Sequence, residues 1–76
     1  MENNILYEYH MFMGQVDTRE YLLVVRSKGK KSYGYLKRRD NSPKKIANPD
    51  SNNMGAKFVG YITKKKFEEI LFLDYL

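Results

Sequence analysis

Two segments of the chain interleave aromatic and cationic side chains in a way that suits nucleic acid. In Tyr33-Gly34-Tyr35-Leu36-Lys37 and Lys57-Phe58-Val59-Gly60-Tyr61-Ile62 the side chains alternate with period two. If Leu36, Phe58 and Ile62 face a core, then Tyr33, Tyr35, Lys37, Lys57, Val59 and Tyr61 face outward together. Tyrosine rings offer bases a stacking surface worth about 1 to 3 kcal/mol each, and lysine neutralises phosphate, a mixture fitted to RNA or single-stranded DNA. The same composition also describes an ordinary half-exposed sheet, because tyrosine is a good strand former. No RNP-type signature, zinc-finger spacing or phosphate-binding glycine loop accompanies it. Gly34 and Gly60 both precede Tyr-aliphatic-X and two cations, which reads as two strands with similar jobs and not as a repeat. Both glycines are expected to admit a helix closely on the opposite face.

Charge distribution reinforces this reading. The net charge is +5, but residues 26–66 hold thirteen of the fourteen cations against only Asp40 and Asp50, while both ends are acidic. Such a basic block attracts polyanions: nucleic acid, an anionic surface or an acidic protein face. The candidate nucleic-acid contacts are therefore Arg26, Lys28, Lys30 and Lys31 ahead of the first tyrosine segment, Lys37, Arg38, Arg39, Lys44 and Lys45 after it, and Lys57, with Tyr33, Tyr35 and Tyr61 as stacking groups.

Lys64, Lys65 and Lys66 open a segment of helical composition, where the macrodipole disfavours cations. Three lysines beside free helix N–H groups suit a phosphate or carboxylate, although a solvated lysine run offset by Glu68 and Glu69 explains them equally. At the other end of that segment Phe72, Leu73, Tyr75 and Leu76 surround the last two turns with apolar groups that a small sheet cannot wholly cover. A second copy or a foreign protein is the expected partner there.

Catalysis is not expected. Ser27, Ser32, Ser42 and Ser51 share one imidazole, His10, with no third triad member marked by spacing. Glu68 and Glu69 diverge by about 100° on a helix, the wrong arrangement for a paired acid and base. Metal-free RNA cleavage by arginine, lysine and tyrosine stays as a third reading. With no cysteine and one histidine, neither a metal site nor a cofactor is expected. The N-terminus carries Glu2 where an export signal would carry cations, and no apolar run approaches the roughly 18 to 20 residues that span a bilayer. The expectation is a cytoplasmic protein without membrane contact.

A chain of 76 residues has room for one domain with a thin core. Residues 5–13 place Ile5, Tyr7, Tyr9, Met11 and Met13 on one side and Glu8 and His10 on a wet one. A turn at 14–18 leads to residues 20–26, apolar on both faces as befits a central strand. Residues 32–38 and 56–63 supply two more strands around an exposed loop at 40–55, and Thr63 caps a C-terminal helix. The expected fold is α+β: four antiparallel strands, as a meander or an SH3-like barrel, with the helix packed on one face. The expected core is Tyr7, Tyr9, Met11, Leu23, Val25, Leu36, Phe58, Ile62, Phe67, Ile70 and Leu71. In element order this is similar to small chromatin-type or SH3-like barrels closed by a helix. In length and Asn/Lys/Tyr-rich composition the chain resembles accessory proteins of phages and mobile elements, which implies a regulator or inhibitor of a host enzyme as the alternative function.

Overall fold

The computed structural model describes residues 4–12, 20–51 and 55–75. Met13, the expected turn at 14–18, residues 52–54 of the expected loop, Leu76 and the residues before Asn4 lie outside them. The elements run β1 (Ile5–Phe12), β2 (Tyr21–Ser27), β3 (Tyr33–Lys37), β4 (Lys44–Ile46), β5 (Ala56–Ile62) and α1 (Lys64–Tyr75). The fold is α+β, but its antiparallel sheet has five strands and not four, in the order β4-β3-β2-β1-β5. The sheet is open, with β4 and β5 as its edges, so the barrel alternative does not hold.

Residues 40–55 conceal the fifth strand. Only Lys44, Lys45 and Ile46 pair, against Leu36, Tyr35 and Gly34, and prolines at 43 and 49 bracket them. A three-residue edge strand carrying two lysines is too short for periodicity to reveal and well suited to resist pairing with other chains. With β4 on the outer edge of β3, the next strand has no place there. The chain returns across the face opposite the helix, burying Pro49 against Gly34, and β5 pairs with β1 instead.

Strand β2, apolar on both faces, takes the central position as its composition requires. Tyr21, Leu23 and Val25 face the helix and pack with Phe67 and Leu71, while Leu22 and Val24 are buried under the returning segment on the other side. Tyr7, Tyr9, Tyr33, Tyr35, Ile62 and Ile70 close around the helix-side cluster. Tyr7 and Tyr35 flank Phe67, with ring centroids at 4.7 and 6.0 Å. Tyrosine serves a thin core well, since the ring is buried while the hydroxyl can remain at the wet margin. Burial, and next the nearby Asp74 carboxylate, push the Tyr21 phenol well above its ordinary range.

Thr63 caps the helix as its composition suggests: its Oγ1 accepts from the Lys66 amide at 3.0 Å, and its carbonyl accepts from the Phe67 amide at 2.9 Å. In the last turn the Tyr75 hydroxyl donates to the Pro43 carbonyl at 2.9 Å, tying the helix end to the connection between β3 and β4.

The two glycines of the recurring pattern have different surroundings. A Cβ on Gly34 would lie 2.6 Å from the Leu23 carbonyl oxygen and 3.3 Å from Pro49, so the close approach is to β2 and the returning segment and not to the helix. A Cβ on Gly60 would meet nothing within 4 Å. Gly34→Ala is therefore expected to destabilise by about 1 to 3 kcal/mol through overpacking. Gly60→Ala should be neutral or stabilise by up to about 1 kcal/mol through chain entropy. Parallel thermal melts of the two variants check this, and equal shifts would contradict it.

Candidate nucleic-acid interface

The expected outward face of two tyrosine strands does not form. Strands β3 and β5 are separated by β2 and β1, roughly 14 Å at the usual spacing, so Tyr33 and Tyr35 do not adjoin Tyr61. Moreover, Tyr33, Tyr35 and Lys37 pair with Val25, Leu23 and Tyr21 and so face the helix, while Leu36 lies on the other side.

Lys37 is only 3% exposed, and its Nζ donates to the backbone carbonyls of Arg39, at 2.9 Å, and Asn41. It holds the turn after β3 and is not placed to meet a ligand. Arg39 occupies that turn with φ of +51°, a conformation costly for a side chain with a Cβ. The buried Glu20 carboxylate fixes it there, accepting from the Arg39 amide at 3.1 Å and pairing with its guanidinium at 3.5 Å. Arg38 lies over the Phe12 ring, 4.6 Å from its centroid.

Arg26 is also committed. Its Nε donates to Glu8 at 2.6 Å, and its two terminal nitrogens donate to Asp50 at 3.1 and 2.8 Å. His10 Nε2 bonds to the other Glu8 oxygen at 3.0 Å. The face expected to be wet around Glu8 and His10 is thus covered by Arg26 and the returning segment, and Glu8 is buried. Burial opposes the Glu8 charge most strongly, but the combined pull of Arg26 and His10 prevails and holds its carboxyl below the ordinary range. The Arg26 hydrogen bonds lower Asp50 in the same direction, and those from Asp50 and Glu8 raise Arg26. Glutamate, histidine and arginine are types that RNA cleavage can use; here Glu8 pairs with both Arg26 and His10 Nε2, while the buried His10 Nδ1 has no hydrogen-bond partner among the described residues.

A β-bulge explains why the sequence misplaced Phe58. Tyr9 pairs with Gly60 and His10 with Phe58, so Val59 is an extra residue that resets the alternation. Phe58 and Tyr61, three residues apart, consequently both turn to the face opposite the helix, where they are 47% and 62% exposed. Phe58 is not a core residue. Gly60 was the available signal, since an isolated glycine within a strand often marks a bulge.

The remaining lysines converge through topology. The β2 end, the β3 start, the β5 end and the helix start all meet at one end of the sheet, because Ser27 pairs with Ile5, Val25 with Tyr33 and Ile62 with Tyr7. Lys28, Lys30 and Lys31 project from the turn after β2, where Gly29 takes φ of +77°. Lys64, Lys65 and Lys66 begin the helix directly after β5. All six are exposed. Since only β1 lies between β2 and β5, the strands that lead into the two runs are roughly 10 Å apart in the sheet. Lys45 adds a cation 4.6 Å from the Tyr33 ring centroid. Lys44 is exposed on β4 and Lys57 on β5, and Lys57 pairs with Met11 toward the opposite end.

At the helix C-terminus Phe72 and Leu73 are 60% and 61% exposed, and Tyr75 is exposed apart from its bonded hydroxyl. Among the described residues no group of three metal-ligating side chains occurs, and no helix is long and apolar enough to cross a membrane. Compared with protein-family models, curated proteins and solved structures, the chain matches none.

Proposed function

We propose that this chain is a non-enzymatic nucleic-acid-binding module that holds phosphates at the lysine end of its sheet. The observation that carries this reading is the convergence of Lys28, Lys30 and Lys31 with Lys64, Lys65 and Lys66, runs far apart in sequence that the β1-centred pairing brings to one end. Counterion release makes such a cluster effective without any enclosed pocket. The second run sits at the positive end of the helix macrodipole, which adds to its pull on anions. Of the other cations that composition would place in the interface, Lys37 holds a turn, Arg26 and Arg39 are in ion pairs and Arg38 lies over the Phe12 ring.

Substituting Lys64, Lys65 and Lys66 together by glutamine should lower affinity for single-stranded RNA about tenfold or more near 0.1 M salt, and flatten the salt dependence by about 0.7 per lost contact. Lys57→Gln, toward the other end, should change affinity less than twofold. Equal losses per charge at both positions would mean that net charge alone attracts the ligand, and the lysine end would lose its assigned role.

A second reading, protein binding by a regulator or inhibitor, draws on the exposure of Phe72 and Leu73. It predicts a partner whose affinity hardly responds to salt and falls when these two residues become serine.

A further inference from the structure

Phe58 and Tyr61 form an exposed aromatic pair, with centroids 5.3 Å apart and planes at 68°. His10 supports Phe58 from behind at 5.4 Å and 69°, and is itself bonded to Glu8. The pair is therefore anchored to the buried ion network, and its edge-to-face contact leaves ring surface open to solvent. Phe58 and Tyr61 lie on the face opposite the helix, and just past Tyr61 the chain leaves β5 for α1, so the lysine run begins at the sheet end that Tyr61 approaches. A shallow groove lined by Asn4, Ile5, Leu6, Arg26, Ser27 and Lys28 continues at the same end over β1 and β2.

We infer that Phe58 and Tyr61 are a base-stacking platform, which makes the ligand of the lysine end a single strand and not a duplex. This rests on the proposed function and specifies its substrate class. A strand laid along β5 would place unpaired bases on the rings and carry its phosphates over the sheet end toward Lys64, Lys65 and Lys66 at the start of the helix. Duplex nucleic acid keeps its base faces stacked internally and offers these rings nothing. Charge complementarity favours this occupant over a second copy of the chain, which would bring its own lysines to the same place. The bulge at Val59 also interrupts the β5 edge that a second copy would need for pairing.

The test is fluorescence anisotropy with a labelled oligothymidylate and an abasic strand of equal length and charge. The wild-type chain should bind the thymidylate at least about fivefold more tightly for each stacked base. Tyr61→Leu and Phe58→Leu keep apolar bulk but remove the π face, and each should reduce that preference while leaving the salt slope unchanged. Equal affinity of the wild-type chain for both strands overturns the inference and leaves the lysine reading standing, a result that needs no variant to fold. Failure to bind either strand at low salt removes the reading beneath it as well. A preference retained in both leucine variants, or a dimer by light scattering that excludes the strand, also overturns the inference.

Discussion

Arg26→Ala should lower the unfolding free energy by about 3 kcal/mol, the cost of stranding a buried carboxylate. Glu8 is buried on the sheet face opposite the helix, with one oxygen on Arg26 and the other on His10. Typical stabilities imply only about 4 to 11 kcal/mol for a domain of this size, so the loss is severe. A Glu8→Met, Arg26→Met double variant should recover most of it, because removing both partners leaves no uncompensated charge. Asp50→Ala, on the solvent side of the guanidinium, should cost no more than about 1 kcal/mol. Urea denaturation measures all three, and an Arg26→Ala cost below about 1 kcal/mol would reduce the network to an ordinary surface pair.

The same network sets the acid limb of stability. Glu8 and Asp50 both ionise more readily in the folded chain than at their ordinary values of 4.5 and 3.8. The unfolded chain thus binds more protons as pH falls through this range. Their contribution is complete above about pH 5 to 6 and disappears as pH drops through the lowered folded values. Arg26→Ala should flatten this limb.

Leu23→Ala is expected to cost about 3 to 5 kcal/mol and to leave the domain partly or wholly unfolded at room temperature. Leu23 is fully buried at the middle of the central strand, within the cluster of Tyr21, Val25, Phe67 and Leu71. At about 4 to 8 °C per kcal/mol for a chain this short, the melting midpoint should fall by well over 10 °C. Phe72→Ala, on the exposed side of the helix, should remain within about 0.5 kcal/mol of wild type. A circular-dichroism melt of each variant compares them. Similar losses would place the core elsewhere, or indicate that Phe72 is covered by a second copy in solution.

Sequence resolved the parts of this fold that depend on regular patterns. The double-sided apolar run of β2 gave its central position, the alternation of Tyr7, Tyr9 and Met11 gave the helix-facing side of β1, and Thr63 gave the cap. The deviations arise where a local pattern yields to a non-local contact. Lys44–Ile46 pairs over too few residues to carry a period, and its presence on the β3 edge sends β5 to β1. One bulged residue at Val59 then reverses the facing of Phe58. In β3 the alternation holds but the faces are reversed, because the sheet is covered on both sides: the helix takes Tyr33 and Tyr35, and Pro49 meets Gly34.

The candidate site was legible as charge but not as geometry. Composition located the basic block, yet nothing in it distinguishes Lys37, which caps a turn from inside, from Lys30, which projects into solvent. The convergence of residues 28–31 with 64–66 follows from β5 pairing with β1, a long-range choice that no window of sequence contains.

Binding of labelled single-stranded RNA, single-stranded DNA and duplex DNA across a salt series tests the central claim most directly. Engagement of four or five lysines predicts micromolar or tighter binding to single strands, with a log–log salt slope of about −3 and weaker binding to duplex. Absence of binding to all three at low salt, or binding that ignores salt, would contradict the claim and direct attention to a protein partner at Phe72 and Leu73.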